Sequence, residues 1–204
     1  MPSVVERLAA AAESMRAGDS AAALATTRAI LEIPGLTNDE RVAALRLHAR
    51  AAEAQKDFAA AFADLDRVST LAPAEARSWS ELGLLHAVTE DLPRAIEALR
   101  RALALDDTSA RTWNNLGRAM WRRRAMAAAR AAFERAVALD AGYAHAYANL
   151  GMTLRDLGRT AEAESALERA IALNPRHVGA LTNLAGIRQR DQRLTEAVKL
   201  FIEA

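Results

Sequence analysis

The chain has 204 residues, of which 51% are hydrophobic and 26% charged, with a formal net charge of +1 and no cysteine. That balance describes a folded chain. It argues against bulk nucleic-acid binding, which takes a strongly basic domain, and excludes thiol catalysis, disulfide frameworks and Cys-ligated zinc. Alanine fills a quarter of the positions and aromatics are few, so the expected core is made of closely approaching helices built from the strongest helix former, and the lack of β-branched runs excludes a sandwich or barrel.

No apolar run approaches the ~18 residues of a membrane helix. The N-terminus, Met1 to Arg7, has neither the basic nor the apolar region of a signal peptide. The expected compartment is the cytoplasm, and the excess of Arg over Lys is the bias of a GC-rich bacterial genome.

In chain order, residues 1–41 read as a degenerate helical pair plus connector, with Gly18 at the turn and Ala23 on the second helix. Thr37-Asn38-Asp39-Glu40 reads as a capping box opening a helix at Arg41. From there the chain repeats itself. Ser78-Trp79-Ser80-Glu81-Leu82-Gly83 recurs as Thr112-Trp113-Asn114-Asn115-Leu116-Gly117, as Ala146-Tyr147-Ala148-Asn149-Leu150-Gly151 and as Ala180-Leu181-Thr182-Asn183-Leu184-Ala185, each 34 residues after the last. Ala95-Leu99-Ala102 recurs at the same step as Ala129-Phe133-Ala136, Ala163-Leu167-Ala170 and Ala197-Phe201-Ala204. The blocks are 42–75, 76–109, 110–143, 144–177 and a shortened 178–204. Each predicts two antiparallel helices. Leu157-Gly158-Arg159-Thr160 reads as a helix-ending Gly followed by a Thr N-cap, and Asn174-Pro175 as a helix stop. Twelve helices in six pairs follow, an all-α solenoid in which each pair buries its apolar face against its neighbours.

These blocks resemble the tetratricopeptide repeat family, whose pattern is an aromatic, Leu-Gly, then Ala, Phe and Pro at fixed places in 34 residues. Counting within each block, position 4 is Leu45, Trp79, Trp113, Tyr147 and Leu181, position 8 is Ala49, Gly83, Gly117, Gly151 and Ala185, and position 20 is Ala throughout. Position 11, usually a large aromatic, departs from the pattern with Ala52, His86, Met120, Leu154 and Arg188. Arg124 stands at a turn where the family prefers Gly. The small residues at positions 8 and 20 let two helix axes come close, so bulk at Gly117 or Ala129 is expected to overpack the junction.

Nothing in the chain carries recognisable catalysis. No nucleophile elbow, H-E-x-x-H, Walker loop or G-x-G-x-x-G occurs. The four histidines are dispersed, with His48 and His86 on the packed side and His145 and His177 at a groove or loop, so neither a metal site nor a cofactor is expected. Asp106-Asp107 reads as turn chemistry.

At 100° per residue, positions 2, 6, 9 and 13 of the first helix lie opposite the packed positions 4, 7, 8 and 11. The resemblance implies that this opposite side lines a concave, ligand-binding groove. The groove candidates are Arg77, Arg111, Asn115, Arg118, Arg122, His145, Asn149 and Asn183, with Trp121 on the shoulder. Asn115, Asn149 and Asn183 are similar to the asparagine ladder in the repeats of O-GlcNAc transferases, where such amides hold a peptide backbone. Arg111, Arg118 and Arg122 point to an acidic ligand, with Glu81 and Asp156 as internal counter-charges on the flanking repeats.

The expected function is a non-catalytic scaffold that holds an extended, acidic segment of a protein or peptide partner. The alternative is the substrate-recruiting arm of a larger enzyme of glycosyltransferase, sulfotransferase or hydroxylase type. The last block stops at position 27. Val198, Phe201 and Ala204 are then expected to lie uncovered, as in the N-terminal part of a longer chain, and to favour end-to-end self-association.

Overall fold

The structure is a computed structural model and describes residues 2–203, apart from the Phe201 side chain. The expectations for Phe201 and Ala204 therefore lie outside the described residues. Twelve α-helices and no strand are present among the described residues. The chain divides between Leu105 and Asp106 into two compact units.

The first unit holds α1 (Val4–Arg16), α2 (Ser20–Leu31), α3 (Asn38–Ala54), α4 (Phe58–Leu71), α5 (Ala76–Val88) and α6 (Leu92–Leu105), each packed on the next. The second holds α7 (Ala110–Arg122), α8 (Met126–Leu139), α9 (Ala144–Asp156), α10 (Thr160–Leu173), α11 (Val178–Arg190) and α12 (Leu194–Glu203). Within it α9 touches both α7 and α11, and each of α8, α10 and α12 packs on the helix before it.

Small residues set the helix spacing. Ala61, Ala95, Ala129, Ala163 and Ala197, all at position 20, are buried. A Cβ on Gly83 would come within 2.7 Å of Leu99 Cγ, and one on Gly151 within 2.6 Å of Leu167 Cγ. On Gly117 it would meet the Phe133 ring at 2.6 Å. Backbone at position 8 thus rests directly on the position 24 side chain of the partner helix.

The turns inside the pairs share one backbone solution. Gly18, Lys56, Glu90, Arg124, Gly158 and Gln192 all adopt positive φ, between 60° and 81°. The residue after each donates its N–H back to a helix carbonyl five residues earlier: Asp57 to Ala52 at 2.9 Å, Asp91 to His86 at 2.9 Å, Ala125 to Met120 at 3.0 Å, Arg159 to Leu154 at 2.9 Å and Arg193 to Arg188 at 2.8 Å. This is the six-to-one bond of a Schellman motif. Arg124 keeps the turn although the family prefers Gly there. A side chain in this region costs about 1–2 kcal/mol, partly offset because Gly loses more freedom on folding. Lys56→Gly is therefore expected to raise stability by about 0.5–1 kcal/mol, seen as a higher urea midpoint with an unchanged m-value.

Two boundaries differ from the sequence reading. Thr37 is the N-cap and forms the capping box with Glu40, so α3 opens at Asn38 rather than Arg41. Thr160 is the first helical residue of α10. The cap position belongs to Arg159, which makes no side-chain cap. The αL residue Gly158 moves the helix start one residue earlier than a Thr cap would.

Position 11 is solved differently in each block. His86 packs its ring 4.7 Å from that of Phe62, leaving Nδ1 buried without a hydrogen bond, and burial lowers its pKa. Arg188 is buried and bonds Glu168 and Glu196 at 2.5 Å each, with Glu164 at 3.3 Å. Burial raises the Glu164 carboxyl above its usual range. On α12, Ala197 is buried, whereas Leu194, Val198 and Ile202 are exposed.

Candidate functional site

In the first unit, Arg46 of α3 sits at the centre of a polar network. Its Nε donates to Glu81 at 2.8 Å, and Nη2 donates to Glu75 at 2.7 Å and to the Ser78 hydroxyl at 2.9 Å. Those bonds hold the Glu75 carboxyl below its ordinary range. Arg77 donates to the other oxygen of Glu81 at 2.8 Å. Glu81 is therefore the shared acceptor of two guanidinium groups. A cleft of about 490 Å³ runs along this face, floored by Val42, Ala43 and Leu47 and edged by Arg50 and Arg77.

In the second unit, α7 starts at a Ser109 cap, whose hydroxyl accepts from Thr112 N at 3.2 Å. Arg111 and Arg118 are exposed, and no ion pair to either exists among the described residues. Asp156 accepts from Trp121 Nε1 at 3.0 Å and from Arg155 at 2.8 Å. The two acids expected to neutralise Arg111 and Arg118 are thus committed to other groups. Trp121 keeps its ring half-buried, with its only donor on Asp156, so it can offer a partner apolar contact alone.

The asparagine ladder breaks into three different situations. Asn149 donates Nδ2 to Asn114 Oδ1 at 2.8 Å, and Asn114 in turn donates to the Tyr143 hydroxyl at 3.4 Å. Asn183 donates to the Gly179 carbonyl at 2.6 Å and accepts from Arg155. Asn115 is 7% exposed, and its Nδ2 is buried with no partner. A buried amide without an acceptor costs about 1–3 kcal/mol, so Asn115 is the ladder member whose donor is left unspent inside the helix pair. Sequence reasoning missed Asn114, although an asparagine beside the expected one was visible as a competitor for the same bonds.

The histidines are not dispersed in space. His145 and His177 meet, ring nitrogen to ring nitrogen, at 2.8 Å. His48 Nδ1 lies 2.5 Å from Asp64 on the packed side of α3 and α4. Among the described residues no group of three or more His, Asp or Glu side chains is arranged to hold a metal ion. No helix among the described residues is long and apolar enough to cross a membrane.

The Trp positions of the repeat do structural work on the other side. Trp79 and Trp113 donate their indole N–H to the carbonyls of Pro73 and Asp107 at 3.0 and 2.8 Å. Arg101 lies 3.8 Å over the Trp79 ring and Arg135 5.8 Å from that of Trp113, so these aromatics fasten each second helix to the turn before its own block.

The sequence matches the family model described as Tetratricopeptide repeat over residues 46–110, 80–144 and 149–204. No curated protein matches it in a sequence search. Among solved structures it is similar to MamA, at 28% identity and a TM-score of 0.69 over 76% of this chain and 91% of that one. It is also similar to Pseudomonas aeruginosa PilF, at 21% identity and a TM-score of 0.75 over 81% and 77%. YrrB, described as a TPR protein with an unusual peptide-binding site, has 19% identity and a TM-score of 0.67 over 87% and 89%; at such identities the likeness is one of fold.

Proposed function

Because the chain belongs to the tetratricopeptide repeat family, whose members are protein-interaction scaffolds, we propose that it works by binding alone. It holds an extended, acidic segment of a partner protein against the exposed side of α7 and its neighbour α9, in the cytoplasm. The observation that carries this reading is on α7, where Arg111 and Arg118 are exposed on one helical row with no ion pair to either among the described residues. Arg forks grip carboxylates with two parallel hydrogen bonds. Positive charge without internal compensation makes the affinity fall as salt rises.

Arg118→Glu tests this. Capture of acidic peptides on an array is expected to fall by about tenfold, the worth of one charge-assisted contact. Thermal stability should hold within about 0.5 kcal/mol, as for other exposed substitutions. Equal capture of the same peptides by both proteins would place the site off α7.

A further inference from the structure

The fold brings together two histidines 32 residues apart. His177 Nε2 lies 2.8 Å from His145 Nδ1, with ring centres 4.7 Å apart. His177 is also the N-cap of α11, with Nδ1 3.1 Å from the Ala180 backbone nitrogen. A backbone N–H can only donate, so His177 Nδ1 is an acceptor and the ring proton sits on Nε2. That proton is donated to His145 Nδ1, which places the proton of His145 on its own Nε2. Both rings are neutral, and the two bonds run in one direction, from Ala180 N–H to His177 and from His177 to His145.

An added proton breaks this arrangement wherever it lands. On His177 Nδ1 it faces the Ala180 N–H, donor against donor. On His145 Nδ1 it faces the His177 Nε2–H. Among the described residues neither ring has a carboxylate within ion-pair distance. Before α9, the Tyr143 ring stands edge-on to His145 at 6.4 Å. On α7, Arg111 holds the place that His145 holds on α9. On α10, Arg169 reaches the Ala141 carbonyl. The acids of α10 and α12 nearest α11, Glu164, Glu168 and Glu196, are engaged by Arg188 and Arg193 at the other end of that helix. Burial first, and then the electrostatic influence of the neighbouring His145 ring, lower the His177 pKa.

We infer that the His145–His177 pair couples the docking of an acidic partner to proton uptake. At neutral pH the rings are spent on each other. In mild acid the pair takes up a proton and opens, which adds positive charge at the start of α9, beside the arginines of α7. The inference rests on the acidic-partner reading above. A partner carboxylate stabilises the protonated ring, so the histidine pKa rises in the complex and affinity grows as pH falls. Each unit of that rise is worth about tenfold in affinity.

The probe is a labelled, end-blocked hexa-aspartate peptide titrated into the full chain at pH 7.5 and pH 5.5, where aspartate, with its ordinary pKa of about 3.9, stays ionised. About tenfold tighter binding at the lower pH is expected for the native chain, and none of that gain for His145→Gln. His177→Asn keeps an acceptor at the N-cap but releases His145, so the pH response should survive in it. Equal affinity at the two pH values, or the same gain in His145→Gln, overturns the coupling while leaving the acidic-partner reading in place. No binding at either pH overturns that reading and the coupling with it.

Discussion

Phe133→Ala is expected to destabilise the second unit by about 3–5 kcal/mol, and Gly117→Val by about 2–3 kcal/mol. Together they should cost clearly less than the two single losses added. Phe133 is fully buried, and its ring occupies the space that a Cβ on residue 117 would need, with Cε1 at 2.6 Å, Cδ1 at 2.7 Å and Cζ at 2.9 Å. A flat ring held on every side cannot yield by a few tenths of an ångström as the end of a flexible chain can. Removing the ring leaves a cavity, and adding a branched side chain opposite fills part of it, so the pair is coupled. Urea unfolding of the four proteins gives the coupling energy. Strict additivity would mean that the two sites do not press on each other.

Arg188→Leu is expected to cost about 2–3 kcal/mol at pH 7 and less near pH 4.5. The guanidinium is buried among three carboxylates, and removing it strands Glu168, while Glu164 and Glu196 keep Arg193. Glu168 and Glu196 are about half exposed, so solvent screens part of the loss. Glu164 is the inner acid, and burial already raises its pKa. Without Arg188 it rises further. A carboxyl whose folded pKa lies above its unfolded value binds protons preferentially in the folded state, so the variant recovers stability as pH falls through the carboxylate range. The gap between variant and native midpoints should therefore narrow in acid. A gap that stays constant with pH would mean that the guanidinium contributes packing rather than charge.

The architecture was legible because residue types alone recur at 34-residue steps, and the small residues at positions 8 and 20 stated how near the helices come. The face of the first helices was legible for the same reason, since helical angle follows from counting. What counting could not supply was the pairing of polar groups. Asn115, Asn149 and Asn183 are equivalent in sequence, yet Asn149 is taken by Asn114 and Asn183 by Arg155 and Gly179. Such bonds depend on side-chain rotamers across helices, where several acceptors compete within reach. Glu81 and Asp156 were on the right rows, but Arg46 and Arg155 reach them too. The meeting of His145 with His177 needed the α11 cap to fix one ring, a local detail that the spacing of two histidines does not encode.

The turns within the pairs have an evolutionary consequence. They are closed by peptide groups, and Lys56, Glu90, Arg124, Gly158 and Gln192 all serve at the same bend. Selection for shape therefore acts on the length of a block and on a few small interior residues, while the letters at the bend drift at a cost of about a kilocalorie each. A duplicated block inherits its hinge intact and can diverge in charge and surface chemistry at once, which is how one ancestral pair of helices can have given rise to an arginine row, a histidine pair and a carboxylate cluster in successive copies.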